Sequence, residues 1–132
     1  MTGETDLPTL LRTMTPVLHP GAYVFCSLPE PLSLPAAELI GLFREPEGVT
    51  VIVRRELADR LQLPYSFVAA WLTLQVHSAL TAVGLTAAVA QALTAQRISC
   101  NVVAAYYHDH LFVDHADGAR ALAALQDLAR TS

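Results

Sequence analysis

His108-Asp109-His110 places two imidazoles and a carboxylate in three consecutive positions, the densest grouping of metal-ligating and proton-transferring side chains in the chain. Alternation along a strand would put His108 and His110 on one face, and His77 and His115 could complete the three or four ligands that zinc needs. A turn at Tyr107 to Asp109 would break that alternation, and the triplet then reads as the polar tip of a hairpin at a subunit interface. That reading is preferred, so no metal, cofactor or catalytic residue is expected. A hydrolase built from Ser78, His108 and Asp109 would lack the strained Gly-x-Ser-x-Gly elbow that exposes a nucleophile.

A second chemistry is binding rather than reaction. The segment from Val76 to Gly84 runs from an alternating strand into an amphipathic helix, and the unpaired N–H groups at a helix start favour an anion such as an amino acid's carboxylate. Gly84, with Val83 beside it, would let a ligand approach the backbone, and His77 or Ser78 could add a hydrogen bond. Asn101 falls out of phase with Cys100 and Val102, and its amide offers donors and an acceptor to the amine and carboxylate of one ligand. The ligand-binding set is therefore His77, Ser78, Val83, Gly84 and Asn101. Each also has a plainer role: Ser78 and Thr81 can satisfy turn and cap groups, Gly84 can relieve a tight turn, and Asn101 can pair a sheet edge. Trp71, Tyr106 and Phe112, spaced through strands, read as packing aromatics.

The elements that must hold these residues can be traced from periodicity. Thr5 or Asp6 can cap a first helix carrying Leu7, Leu10, Leu11 and Met14 on one side, and Pro16 reads as its end. Ala22 to Leu28 has strand composition, and Pro29 to Pro35, with three prolines, reads as loop. Glu38 to Arg44 and Val49 to Arg54 form a hairpin about the turn Glu45-Pro46-Glu47-Gly48, followed by a short helix from Arg55 to Leu63. The second half opens with a strand from Val68 to Val76, where Leu72, Leu74 and Val76 face one way and Trp71, Thr73 and Gln75 the other. A helix from Gly84 to Gln96, strands from Ile98 to Tyr106 and His110 to Asp114, and a last helix capped by Asp114 complete the chain.

Composition narrows the partners. Hydrophobic residues make up 53% and charged residues 15%, with mean hydropathy +0.40, so some apolar surface is expected to be covered by another chain, most simply in a homodimer. A net charge of −4 and scattered Lys and Arg give no footprint for nucleic acid. No apolar run approaches the ~20 residues of a membrane span, and Cys26 and Cys100 stand far apart as thiols suited to a reducing compartment, so a cytoplasmic location is expected.

The stretch Gly84-Leu85-Thr86-Ala87-Ala88-Val89, with Ala92-Leu93 and Ile98-Ser99-Cys100-Asn101-Val102-Val103 after it, resembles an ACT domain of the kind that regulates aspartate kinases. With Tyr23-Val24-Phe25-Cys26, Glu47-Gly48-Val49-Thr50 and Ala104-Ala105-Tyr106-Tyr107-His108-Asp109-His110, the chain is similar along nearly its full length to small stand-alone bacterial ACT proteins. The resemblance implies an α+β fold of two tandem ferredoxin-like (ACT-type βαββα) units with antiparallel sheets and helices on one face. It places an irregular unit at residues 1–65 and an ACT domain at residues 66–132. It also implies a non-catalytic regulatory protein that binds an amino acid or other small metabolite and passes the signal to a partner enzyme. A structural interaction module without a ligand is the alternative, and a histidine-based metal enzyme the third reading. Arg97 stands where the aspartate kinase domains often end the helix with glycine, and Ser99 where they often have asparagine.

Overall fold

The computed structural model describes residues 5–76 and 82–132. In chain order its elements are α1 (Leu7–Thr13), β1 (Thr15–Leu18), β2 (Tyr23–Leu28), β3 (Gly41–Glu45), β4 (Gly48–Arg54), α2 (Arg55–Arg60), β5 (Val68–Gln75), α3 (Leu85–Ala95), β6 (Cys100–Ala104), β7 (Asp109–Asp114) and α4 (Gly118–Arg130). Two compact units result, one of Gly21–Ala69 and one of the residues up to Pro20 together with Ala70–Ser132. None of the described helices is long and apolar enough to cross a membrane.

In the first of these units β2 pairs antiparallel with β4, and β4 with β3, around the tight turn at Pro46 and Glu47 that the sequence marks. Its core comprises Val24, Cys26, Val49, Val51 and Val53 from the sheet, with Leu57 and Ala58 of α2 packed on them. The segment between β2 and β3, where a ferredoxin-like unit would carry its first helix, is loop with one 3-10 turn at Ala36–Glu38. Leu32, Leu34 and Leu39 from that loop pack on the same core and take over the helix's task of keeping water off the strands. Val68 and Ala69, the first residues of β5, pair with Val24 and Tyr23.

The other unit has the strand order β1-β5-β7-β6. Counted from β5, this is a β-α-β-β-α-β ferredoxin-like arrangement whose fourth strand comes from the N-terminal arm. β1 lies antiparallel to β5, with Thr15 opposite Gln75 and Leu18 opposite Leu72, and β6 lies antiparallel to β7. Leu72 and Leu74 of β5 and Leu111 and Val113 of β7 meet Leu10 and Leu11 of α1, Leu85, Val89 and Leu93 of α3, and Ala121 and Leu125 of α4. The period-2 and period-3.6 patterns thus converge on one core, and the helices cover one face of the sheet as expected.

Several boundaries differ from the sequence reading for physical reasons. Pro16 does not simply end the first helix: it sits inside β1, opposite Leu74, and an edge strand tolerates a residue without an N–H because one side of its backbone needs no ladder partner. Asp6 is the cap of α1, its carboxylate accepting from the backbone N–H and the hydroxyl of Thr9 at 3.1 and 2.6 Å. Asp114 accepts from Ala116 N at 2.9 Å, but what it caps is a 3-10 turn over His115–Asp117, and α4 starts only at Gly118. The strand expected from Ile98 to Tyr106 is shorter, because Ala105 N donates to His108 O at 3.1 Å and closes the hairpin around Tyr106 and Tyr107. Arg97 takes a left-handed conformation with φ +60°, as the glycine often found there would suggest.

Two stability outcomes follow. Replacing fully buried Leu10 by Ala should cost about 2–5 kcal/mol in denaturant unfolding, since Leu10 belongs to the core formed with residues 70–132. A loss of a few tenths would mean that the arm is not part of that core. Arg97→Gly should instead stabilise, by up to about 1 kcal/mol, by removing the left-handed side-chain clash at the end of α3.

Candidate functional site

The start of α3 is shaped by one backbone choice. Gly84 is its N-cap residue, in the left-handed region at φ +100°, and its carbonyl accepts the first helical bond from Ala88 N at 2.9 Å. A glycine cap has no side chain to satisfy the N–H groups of the first turn, so the helix presents donors and the positive end of its dipole there. Val83, immediately before it, is 83% exposed. From the other side Leu7 of α1 closes in: a Cβ added at Gly84 would lie 3.0 Å from Leu7 Cδ2. Leu85, Val89 and Leu93 then fix the helix on the sheet.

Of the expected binding residues, His77 and Ser78 lie outside the described residues. Val83 and Gly84 stand together at the start of α3. Asn101 does not join them: Cys100 and Val102 turn toward the helices, and Asn101, out of phase, lies on the opposite sheet face, where its Nδ2 donates to the Phe112 carbonyl at 3.3 Å. Two open grooves, of about 480 and about 500 Å³, lie elsewhere, one beside Gln96, Arg120 and Asp127 and the other beside Glu30, Leu32 and Arg44.

His108-Asp109-His110 is split by the hairpin, since β7 begins only at Asp109. His108 Nδ1 is buried with no hydrogen-bond partner, and burial pushes the Asp109 carboxyl up while His108 pulls it down. Among the described residues no three His, Cys, Asp or Glu side chains converge as a metal site would need. His110 belongs to a different cluster, one the sequence reading missed. On the sheet face away from the helices, Trp71 Nε1 donates to His110 Nδ1 at 3.1 Å, and Thr73 Oγ1 lies 3.0 Å from that nitrogen and 2.7 Å from His19 Nε2. The His19 ring stacks on Trp71 with centroids 3.7 Å apart, and Trp71 in turn stacks near Phe112 at 6.2 Å. Alternation in β5 already set Trp71 and Thr73 on one face. What hid the cluster was β1: with that strand unread, nothing in the sequence set His19 beside β5.

One ACT domain model matches residues 2–70 and a second matches residues 66–127. The chain belongs to the ACT domain family, a family of regulatory small-molecule-binding domains, and carries two such domains in tandem. A protein of unknown function from Vibrio cholerae, described as a possible transport protein, is 45% identical, with a TM-score of 0.84 over 93% of this chain and 95% of that one. The ligand-free regulatory subunit of aspartate kinase from Thermus thermophilus is 10% identical, with a TM-score of 0.60 over 89% of this chain and 98% of the subunit. Aspartate kinase from Clostridium acetobutylicum, 8% identical, also gives 0.60, over 90% of this chain and 34% of the enzyme. At such identities the likeness to the kinases is one of fold. Among curated proteins none matches the chain.

Gly84→Ala should destabilise the protein by about 1–2 kcal/mol, the cost of holding an L-residue in the left-handed region, with some relaxation needed at Leu7. Equilibrium unfolding in urea checks this, and an unchanged midpoint would show that the α3 start does not need glycine.

Proposed function

We propose that this protein is a non-catalytic regulator that binds an amino acid at the start of α3, and that it acts in the cytoplasm on a partner enzyme. The observation that carries the reading is the glycine-capped start of α3, where first-turn donors and an exposed Val83 adjoin the segment bearing His77 and Ser78. A carboxylate there would accept backbone hydrogen bonds reinforced by the helix dipole. Asn101 faces away from α3 within one chain, so in this reading it contributes through a homodimer. The free thiols of Cys26 and Cys100, both pushed up by burial and hence protonated at neutral pH, suit a reducing compartment. Coupling to a partner would follow from different ligand affinity in two packings of the chain. The interaction-module alternative draws support from the hairpin tip, where Tyr106 and Tyr107 are 76% and 68% exposed.

A thermal-shift screen against the twenty amino acids tests the proposal. A ligand at a hundredfold its Kd adds ~2.7 kcal/mol, a rise of about 10 °C for a chain of this size. Val83→Glu, an exposed change that sets a negative charge at the anion's place, should abolish the shift and leave the unliganded Tm nearly unchanged. No shift with any amino acid in folded protein would favour the interaction module.

A further inference from the structure

We propose that His19, Trp71, Thr73 and His110 form a proton-sensitive clamp that holds the end of β1 against β5 and β7, and that acidification opens it. The indole N–H of Trp71 can only donate, so His110 Nδ1, 3.1 Å away, must present its lone pair, and the ring's proton then sits on Nε2. The Thr73 hydroxyl bridges the two rings. It accepts from His19 Nε2 while donating to His110 Nδ1, or turns its own proton to His19. Protonating His110 at Nδ1 sets an N–H against the Trp71 N–H and removes an acceptor from Thr73. With Thr73 only 5% exposed, water has little room to restore the lost bond. His19 is held besides by its backbone N–H, which donates to the Trp71 carbonyl at 2.9 Å, and by its stack on the indole.

The surroundings of His110 oppose its charge. Among the described residues, the titratable groups that act on it are His19 beside β1 and His108 in its own hairpin, while Asp109, its neighbour in β7, alternates to the other face; β5 offers neutral Trp71 and Thr73, and β6 sets Val103 opposite. Burial chiefly, then His108 and His19, hold the imidazole below its ordinary value of 6.5. An unfolded chain therefore takes up this proton more readily than the folded one. The clamp's contribution to stability is complete above about pH 6.5 and is lost as pH falls from there toward the lowered folded value.

Trp71 is the single tryptophan of the chain, so its fluorescence reports on the clamp directly. The full-length protein would be titrated from about pH 7.5 to about pH 5, the range over which histidine charges, with amide hydrogen exchange followed at residues 15–19. The expected result is a fluorescence step below about pH 6.5, with a several-fold loss of protection at the His19 amide beyond the intrinsic effect of pH on exchange. Thr73→Val and His110→Gln should each remove the step, whereas His108→Gln should keep it. A flat titration in folded protein, or a step unchanged in both Thr73→Val and His110→Gln, would overturn the clamp.

Discussion

From Ala69 to Leu74 strand β5 is buried or half-buried on both faces, and that constraint organises the unit around it. Leu72 and Leu74 look into the helix-covered core with 0% and 1% exposure, and on the other side Thr73 is 5% exposed. Both edges of β5 are paired as well, with β1 along one side and β7 along the other. A strand enclosed this way tolerates polar atoms only where they are hydrogen-bonded, which is why the buried hydroxyl of Thr73 sits between two imidazoles. It also requires close approach from above. Gly118 opens α4 where a Cβ would lie 3.0 Å from the Ala70 Cβ, so two small residues let the helix settle on the strand.

The N-terminal arm is the second consequence. Without β1 the backbone of β5 would expose a ladder edge, and without Leu10, Leu11 and Met14 the core under α3 and α4 would lack one wall. The unit of Gly21–Ala69 meets a similar need by other means. Its loop of prolines and leucines covers the sheet in place of a helix, because covering apolar strands requires apolar side chains at the right height and not a particular secondary structure.

Most elements could be read from the residues because their signals are local. Alternation in Val68–Gln75, the helical stripe of Leu85, Val89 and Leu93, and the Pro46-Glu47-Gly48 turn each lie within one segment, and each formed. β1 could not be read, since Thr15–Leu18 is four residues long, contains a proline and owes its extended form to a partner some 55 positions later, Leu72–Gln75. The loss of β1 took His19 with it and left the cluster at Thr73 invisible. Asn101 was legible only halfway. Its phase in the strand correctly set it apart from Cys100 and Val102, but whether that face meets a ligand or the neighbouring carbonyl of Phe112 depends on register, which pattern alone does not give.

The proposed ligand site and the proposed clamp bear on the same element. Leu7, in the first turn of α1, touches the glycine at the start of α3, and His19, one residue past β1, is tied to Thr73 and Trp71. Residues 7–19 are a single short arm, so a ligand at one end and a proton at the other would both bias whether that arm is docked. Two sites are thermodynamically coupled when each shifts the same two-state element, and the coupling is then reciprocal: a ligand that favours the docked arm must lower the affinity of the cluster for its proton. The arm gives this ACT protein a physical route by which acidity and a metabolite could act through one equilibrium, without a continuous chain of contacts across the sheet.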